Sequence, residues 1–122
     1  MQRVLLIDDH IDTLSSTAML LRLMGYSVET APTGKEGLEK ASQFNPAVIL
    51  CDINITPEMN GYAVAKALRA NPQFSKTLLI AFTGYGYEQD KQRALQSGFD
   101  MHMTKPGDLT LLEQAIKKHF AA

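Results

Sequence analysis

Some stretches of the chain are apolar at every position, and others alternate apolar and polar residues. Uninterrupted runs at Val4–Ile7, Ala47–Cys51 and Leu78–Phe82 are typical of strands that are buried on both faces of a sheet. Alternation at Tyr26–Ala31 and Phe99–Thr104 is typical of strands with one buried and one solvated face. The pattern therefore predicts three inner strands and two edge strands.

The segments between these strands carry apolar residues at helical spacing. In the first of them the series that predicts a buried helix face is Ile11, Leu14, Ala18 and Leu21. Thr33 followed by Glu36 has the spacing of a capping box, which marks a helix start. The predicted helices are His10–Met24, Thr33–Phe44, Gly61–Ala70, Glu88–Ser97 and a last one whose apolar face runs from Leu112 to Phe120.

Regular alternation of strand and helix favours a parallel sheet with helices on both faces. Inner strands must be apolar throughout, so the first, third and fourth strands belong in the middle and the second and fifth at the edges. We therefore predict an α/β fold, a single flavodoxin-like (βα)5 doubly wound parallel sheet with strand order 2-1-3-4-5. The whole of residues 1–122 is expected to form one domain.

Composition excludes several classes of function. The formal net charge is −1, and acidic and basic residues are spread along the chain, so nucleic-acid binding by this domain and attachment to a membrane surface are not expected. Cys51 is the single cysteine and lies in an apolar run, which indicates a buried small side chain. We find no signal-peptide core and no apolar run that could span a bilayer, so a cytoplasmic location is predicted.

Acidic side chains follow the first and third predicted strands. Asp8 and Asp9 come directly after Val4–Ile7, and Asp52 comes directly after Ala47–Cys51. In the predicted order these strands are neighbours at the switch point, so their carboxylates converge on one crevice. Like charges at close range repel unless a cation neutralises them. Mg²⁺ fits best, because it accepts a few carboxylate oxygens, keeps several waters and leaves positions for a phosphate.

Two further polar residues end strands beside this crevice. Thr83 follows the Leu78–Phe82 run and offers a hydroxyl donor, and Lys105 follows Phe99–Thr104 and offers a positive charge. A nucleophilic carboxylate together with a magnesium site, a lysine and a threonine indicates phosphoryl transfer to Asp52, which gives an acyl phosphate.

These residues carry a resemblance to the receiver domain of two-component response regulators, over essentially the whole chain. The acidic pair, Asp52, Thr83 with Gly84, and Lys105 with Pro106 match the family's landmarks in order. The resemblance implies that Asp9 binds Mg²⁺ directly and Asp8 mostly through water. It also implies that the backbone carbonyl of Asn54 completes the protein ligands. Asp52 would be the phosphoacceptor, and Thr83 and Lys105 would hold the phosphoryl group.

By the same resemblance the domain is a phosphorylation-dependent switch rather than an enzyme, with at most self-phosphorylation from small donors and autodephosphorylation. Its donor would be a sensor histidine kinase or a histidine phosphotransfer protein. A downstream protein would bind the surface of the fourth helix, fifth strand and fifth helix. The residues around Thr83 and Lys105 are most similar to receivers of hybrid sensor histidine kinases. The chain is expected to be either a stand-alone regulator or a domain of a larger protein.

Some positions depart from the family pattern, and others are candidates for setting the lifetime of the phosphorylated state. Gly61 lies nine residues after Asp52, where the family has eight, so one residue is inserted in this loop. His102 takes the position of a switching aromatic residue and would work with Thr83, or it is a half-exposed strand histidine without a signalling role. Asn54 and Tyr85 would tune the lifetime of the phosphorylated state, unless Tyr85 points away from the site.

The remaining histidines have no metal-ligand spacing to a cysteine or to one another. His10 and His119 are therefore expected to be a loop residue and a helix C-terminal residue rather than ligands.

Two other classes of function share part of this pattern. The segment Asp52-Ile-Asn-Ile-Thr56 resembles the signature of magnesium-dependent haloacid-dehalogenase-type phosphatases, which also form an aspartyl phosphate, but Asn54 replaces their general acid. A small-cofactor binding module is a further alternative. Asp8-Asp9-His10 superficially matches a cobalamin-binding motif that lacks its glycine here, and a flavin phosphate would be repelled by the two carboxylates.

Overall fold

A computed structural model gives the fold, and it describes residues 2–53, 59–83, 88–104 and 109–120. Within these residues the strands form one parallel sheet in the order β2-β1-β3-β4-β5. Its strands are β1 Arg3–Ile7, β2 Ser27–Ala31, β3 Val48–Asp52, β4 Leu78–Thr83 and β5 Met101–Thr104. The predicted fold class and strand order are confirmed.

A helix lies between successive strands and another follows the last strand. The helices are α1 Ile11–Leu23, α2 Gly34–Phe44, α3 Gly61–Arg69, α4 Glu88–Ser97 and α5 Leu109–His119. The predicted cap of α2 is present, because Thr33 Oγ1 accepts a hydrogen bond from the Glu36 amide at 3.1 Å. Asn60 caps α3 in the same way through Ala63. Despite the inserted residue, α3 begins at Gly61 as expected.

The sheet separates two hydrophobic cores because side chains alternate along each strand. Leu5 and Ile7 of β1 contribute to a first core, which α2, α3 and α4 cover. Val4 and Leu6 contribute to a second core, which α1 and α5 cover. Each fully buried aliphatic side chain stabilises the fold by about 1.5–3 kcal/mol, so this sandwich holds the strand ends in fixed positions.

One residue of the predicted buried face of α1 is misassigned. Leu14, Ala18 and Leu21 are buried, but Ile11 is 59% exposed. Ile11 is the first residue of the helix, where the chain has only just left the sheet edge. The series has the right period, but the sheet does not extend far enough to cover its first member.

The structure also differs from the predictions before β4 and at the start of β5. A short 3₁₀ helix, Pro72–Phe74, precedes β4 and was not predicted. β5 begins at Met101 rather than at Phe99, because Asp100 pairs with the start of β4. The Asp100 amide donates to the Leu79 carbonyl at 2.8 Å, and the Asp100 carboxylate accepts from the Leu79 amide at 2.9 Å. In the part of the chain that the structure describes, no helix is both long and apolar enough to cross a membrane.

Candidate functional site

The candidate site lies at the carboxyl edge of the sheet, between β1 and β3. Asp52 is the last residue of β3, and Asp8 directly follows β1. Ile7 is in register with Cys51, so the next residue of each strand, Asp8 and Asp52, reaches the same point of the edge. The amide of Asp8 still donates to the Ala31 carbonyl of β2 at 3.1 Å, which fixes this end of β1 from its other side. The sequence-predicted convergence of carboxylates is therefore present.

The three carboxylates differ in exposure. Asp52 is 2% exposed and Asp8 is 5% exposed, whereas the Asp9 side chain is 33% exposed and forms the rim of the site. Charges on neighbouring carboxylates repel one another, since unit charges 4 Å apart interact by about 4 kcal/mol at an effective dielectric of 20. The site is therefore one that a cation would stabilise.

His10 also belongs to this site. It precedes α1 at the N-cap position, but its side chain does not cap the helix. Its Nδ1 lies 2.9 Å from Asp8 Oδ1, 3.2 Å from Asp9 Oδ1 and 3.5 Å from Asp52 Oδ2. The backbone amide of His10 donates to Asp8 Oδ1 at 2.9 Å, which holds the turn between β1 and α1 in this conformation. One ligand atom from each of Asp8, Asp9, His10 and Asp52 can be chosen so that all lie within 4.8 Å of one another.

The oxygen atoms at the rim fit a metal ion. Among the described residues, Asp9 Oδ1 is buried and has no hydrogen-bond partner, although His10 Nδ1 lies 3.2 Å away. A buried carboxylate oxygen without a donor is unfavourable in the protein alone, and it is an available ligand for a cation. Carboxylate oxygens at this spacing are the donor set that hard divalent cations prefer.

Gly61 packs against the backbone of Asp52 and Ile53. A Cβ atom at Gly61 would lie 2.5 Å from the Ile53 Cα and 2.7 Å from the Asp52 carbonyl oxygen. The Gly61 amide donates to the Ile53 carbonyl at 3.1 Å. The absence of a side chain at residue 61 therefore lets the start of α3 pack directly on the chain that carries Asp52.

The other predicted site residues are placed only in part. Thr83 is the last residue of β4, in register with Thr104 of β5, so its backbone reaches the same edge, and its side chain lies outside the description. His102 lies in β5 in register with Ala81 and is partly buried. Lys105, Asn54 and Tyr85 lie outside the described residues.

The two histidines set aside as ligands have different outcomes. His119, near the end of α5, lies with Nε2 3.1 Å from the Lys76 carbonyl oxygen and far along the chain from the acidic residues. His10 is in the turn before α1, as expected, but sequence reasoning missed that its ring faces the carboxylates. Its position immediately after the acidic pair was the signal that could have found it.

Comparison with known proteins identifies the fold and the family. The family model for the response regulator receiver domain matches residues 4–117. An uncharacterized 14.6 kDa protein of Leptolyngbya boryana is 33% identical over 119 residues, which cover 98% of this chain and 90% of that protein. The cell cycle response regulator CtrA of Brucella ovis is 36% identical over 104 residues, which cover 85% of this chain but only 44% of CtrA.

Among solved structures, the chemotaxis protein CheY4 of Vibrio cholerae superimposes with a TM-score of 0.89 and 31% identity, over 98% of this chain and 99% of that one. These findings give no support to the phosphatase or small-cofactor alternatives. The matched residues include β3 and all of β1 except its first residue, the two neighbouring strands that lead to the acidic residues, and the chain belongs to the response regulator receiver domain family.

Proposed function

We propose that this domain is switched by phosphorylation of Asp52. The observation that carries the proposal is the geometry of the site, in which a nearly fully buried Asp52 shares the switch point of the sheet with Asp8 and Asp9. In open α/β sheets the crevice at the carboxyl edge of the strands is the usual place for a ligand to bind, and a phosphoryl donor would approach Asp52 there. Membership of the receiver family supports the same role.

The reaction needs a nucleophile, a neutralised pocket and a leaving group. An oxygen of Asp52 attacks the phosphorus of a phosphohistidine, the P–N bond breaks, a P–O bond forms, and the imidazole leaves with a proton. Asp8 and Asp9, with the backbone carbonyl of Asn54, would hold Mg²⁺. When bound, this ion neutralises charge on the carboxylates and on the phosphoryl oxygens. Lys105 supplies a further positive charge to the phosphoryl group.

The remaining predicted residues act after the transfer. The hydroxyl of Thr83 donates a hydrogen bond to a phosphoryl oxygen, and Thr83 shifts as it forms this bond. The side chain of His102 on the neighbouring strand follows that shift. Their backbones support this coupling, because β4 and β5 are paired in register up to Thr83 and Thr104. Asn54 and Tyr85 tune the lifetime of the acyl phosphate by controlling how water approaches it.

The α4-β5-α5 face is the proposed output surface. Leu95 of α4 is 54% exposed and Leu111 of α5 is 55% exposed, so each of these helices offers an apolar side chain to a protein partner. His102 of β5 lies between the two helices in chain order and is partly exposed. A change at Thr83 would reach this face through β5, and a downstream protein would detect it.

A protein carrying a phosphohistidine is the proposed donor, either a sensor histidine kinase or a histidine phosphotransfer protein. Residues 1–122 are proposed to form one receiver domain, either alone or within a larger protein, and the matched residues cover 44% of CtrA. We also propose that the domain is of the type found in hybrid sensor histidine kinases.

The test is chemical labelling. Acetyl phosphate with Mg²⁺ should phosphorylate the parent protein, and Asp52→Asn or removal of Mg²⁺ with a chelator should abolish the label, since the nucleophile or the neutralising charge is lost. Asp12→Asn is the matched control, because Asp12 is an exposed carboxylate in the first turn of α1 and should leave labelling unchanged. Intact-protein mass spectrometry measures the label, and an undiminished signal in Asp52→Asn would place the acceptor elsewhere.

A further inference from the structure

His10 is the feature of the site that the proposed function does not use. Its ring nitrogen approaches an oxygen of each of the three carboxylates at 2.9, 3.2 and 3.5 Å. Ligands of one tetrahedral first-row cation, each about 2.0–2.1 Å from the metal, lie about 3.3 Å from one another. His10 Nδ1 and Asp8 Oδ1 form a hydrogen bond in the protein. The three separations lie within about 0.4 Å of the value that common ligands of one ion would have.

The position of the His10 side chain is built by the local backbone. The turn is fixed by the bond from the His10 amide to Asp8 Oδ1 at 2.9 Å, and Asp8 is fixed in turn by its own bond to Ala31. The residue at a helix N-cap commonly caps the helix with its side chain. His10 is the N-cap residue of α1, and its side chain turns to the acidic residues instead. The imidazole thus enters the site from the rim, with its side chain 64% exposed.

An imidazole changes which cation the site prefers. Carboxylate oxygens alone suit Mg²⁺, whereas imidazole nitrogen together with carboxylates suits Zn²⁺ and its neighbours in the first transition series. The widest separation in the set of four donor atoms, 4.8 Å, exceeds the tetrahedral value by about 1.5 Å. Rotation of the partly exposed Asp9 and His10 side chains can supply a movement of this size.

We propose that His10, Asp8, Asp9 and Asp52 form an alternative site for a borderline transition-metal cation of the Zn²⁺ class, and that this ion competes with phosphorylation. A tetrahedral cation with four protein ligands has no open position for a phosphoryl oxygen. It also occupies the Asp52 oxygen that would act as nucleophile. The cation therefore locks the domain in an unphosphorylated state, which excess Mg²⁺ does not do. This inference rests on the proposed function only for the role of Asp52 as the acceptor.

The binding test uses the metals alone. Zn²⁺ affinity is measured by competition with a chromophoric chelator, and Co²⁺ replaces Zn²⁺ to report tetrahedral coordination through its visible absorption. His10→Asn should weaken Zn²⁺ binding at least about tenfold, because the loss of even an outer-shell partner has an effect of that size. The Mg²⁺ affinity of His10→Asn should stay within about threefold of the parent's. His119→Asn is the matched control, because His119 is a histidine remote from the acidic residues, and it should bind Zn²⁺ as the parent does.

A second readout does not depend on any variant. Zn²⁺ should shift the His10 ring resonances of the parent protein in an NMR titration and leave those of His102 and His119 in place. The proposal is overturned if the His10 ring does not respond while Zn²⁺ binds, or if His10→Asn and the parent bind Zn²⁺ equally well.

The functional consequence is measured separately. With Mg²⁺ in excess, added Zn²⁺ should block labelling of the parent by acetyl phosphate, and His10→Asn should resist the block. Failure of the parent to be labelled in Mg²⁺ without Zn²⁺ would refute the proposed function, and the two metal-binding measurements would still decide the role of His10. Labelling of a Zn²⁺-saturated parent at the rate seen in Mg²⁺ alone would refute the lock.

Discussion

At the scale of single residues, Gly61 shows how a position without chemistry of its own defines the site. The start of α3 lies against the Asp52 carbonyl, with room for a hydrogen atom but none for a methyl group. Because the clash would be with backbone atoms, a larger residue cannot be accommodated by rotating a neighbouring side chain. The strand end that carries Asp52 would have to move.

We therefore expect Gly61→Ala to destabilise the domain by about 1–3 kcal/mol and to slow labelling by acetyl phosphate. Helix propensity alone would have the opposite sign, since alanine is favoured over glycine by up to about 1 kcal/mol. Urea unfolding and mass spectrometry measure the two effects. The control is Ala63→Gly, an exposed site on the same helix, which should lose about 1 kcal/mol and keep its labelling rate. Greater stability of Gly61→Ala than of the parent would show that the backbone yields at this point.

The sequence allowed Asp8, Asp9 and Asp52 to be predicted as neighbours, because carboxyl ends of parallel strands share one edge. That argument depends only on where each residue lies in its strand. The inward turn of His10 could not be predicted in the same way, because it depends on one turn of backbone and on the rotamer that this turn permits. Gly61 was noticed as a change in spacing, and its contact with Asp52 became visible only in three dimensions.

At the scale of elements, α1 carries more exposed apolar surface than its neighbours in the described part of the chain. Ile11, Met19 and Leu23 are 59%, 61% and 78% exposed, and their spacing of eight and four residues places them along one side of the helix. The series begins next to His10, at the mouth of the site. A protein donor that brings a phosphohistidine to Asp52 would cover the first member of this series.

Ile11→Asn should therefore slow phosphoryl transfer from a phosphohistidine protein and leave labelling by acetyl phosphate unchanged. Burial of an isoleucine side chain is worth about 1.5–3 kcal/mol, so a loss of at least about tenfold in transfer is expected. Leu111→Asn, an equally exposed site on α5, is the control and should transfer normally. Transfer rates come from radiolabelled donor with rapid quenching, and a parallel loss with both donors would mean that Ile11 acts on the site itself.

At the scale of the whole molecule, one arginine joins segments that are distant in the chain. Arg69 ends α3, and its guanidinium donates to the carbonyls of Gly98 at 2.8 Å, Phe74 at 2.8 Å and Thr77 at 3.0 Å. It also pairs with the Asp100 carboxylate at 2.7 Å. The connection between α4 and β5 is thereby tied to α3 and to the chain that enters β4. The connection between α4 and β5, two elements of the proposed output face, is held by this one side chain.

Arg69→Met keeps the length and most of the apolar stem but removes every donor, so we expect a loss of about 3 kcal/mol in the free energy of unfolding. Lys66→Met, an exposed site on the same helix, is the control and should stay within about 0.5 kcal/mol of the parent. Chemical denaturation measures both. An Arg69→Met protein as stable as the control would mean that water satisfies these carbonyls equally well.

Strand order was predictable from sequence because the inner strands are apolar on both sides and the edge strands are not. The contacts of Arg69 were not, since its partners lie 5 to 31 residues away and follow no period. The same holds for β5, whose first residues were assigned to a strand by alternation although Asp100 pairs with Leu79 through its side chain. Periodicity predicts what faces a core, and single polar contacts between elements lie outside its reach.

The second core has a consequence for biosynthesis. It joins Leu6 of the first strand to Leu112 and Ile116 of the last helix, so it cannot close until nearly the whole domain has left the ribosome. At about 5–20 residues per second, the interval between synthesis of Leu6 and of Leu112 is about 5–20 seconds. During that time α5 does not yet cover the face of the nascent sheet that carries Leu6. Chaperones that bind apolar nascent segments therefore have a defined window in which to act on this domain, and it closes when α5 emerges.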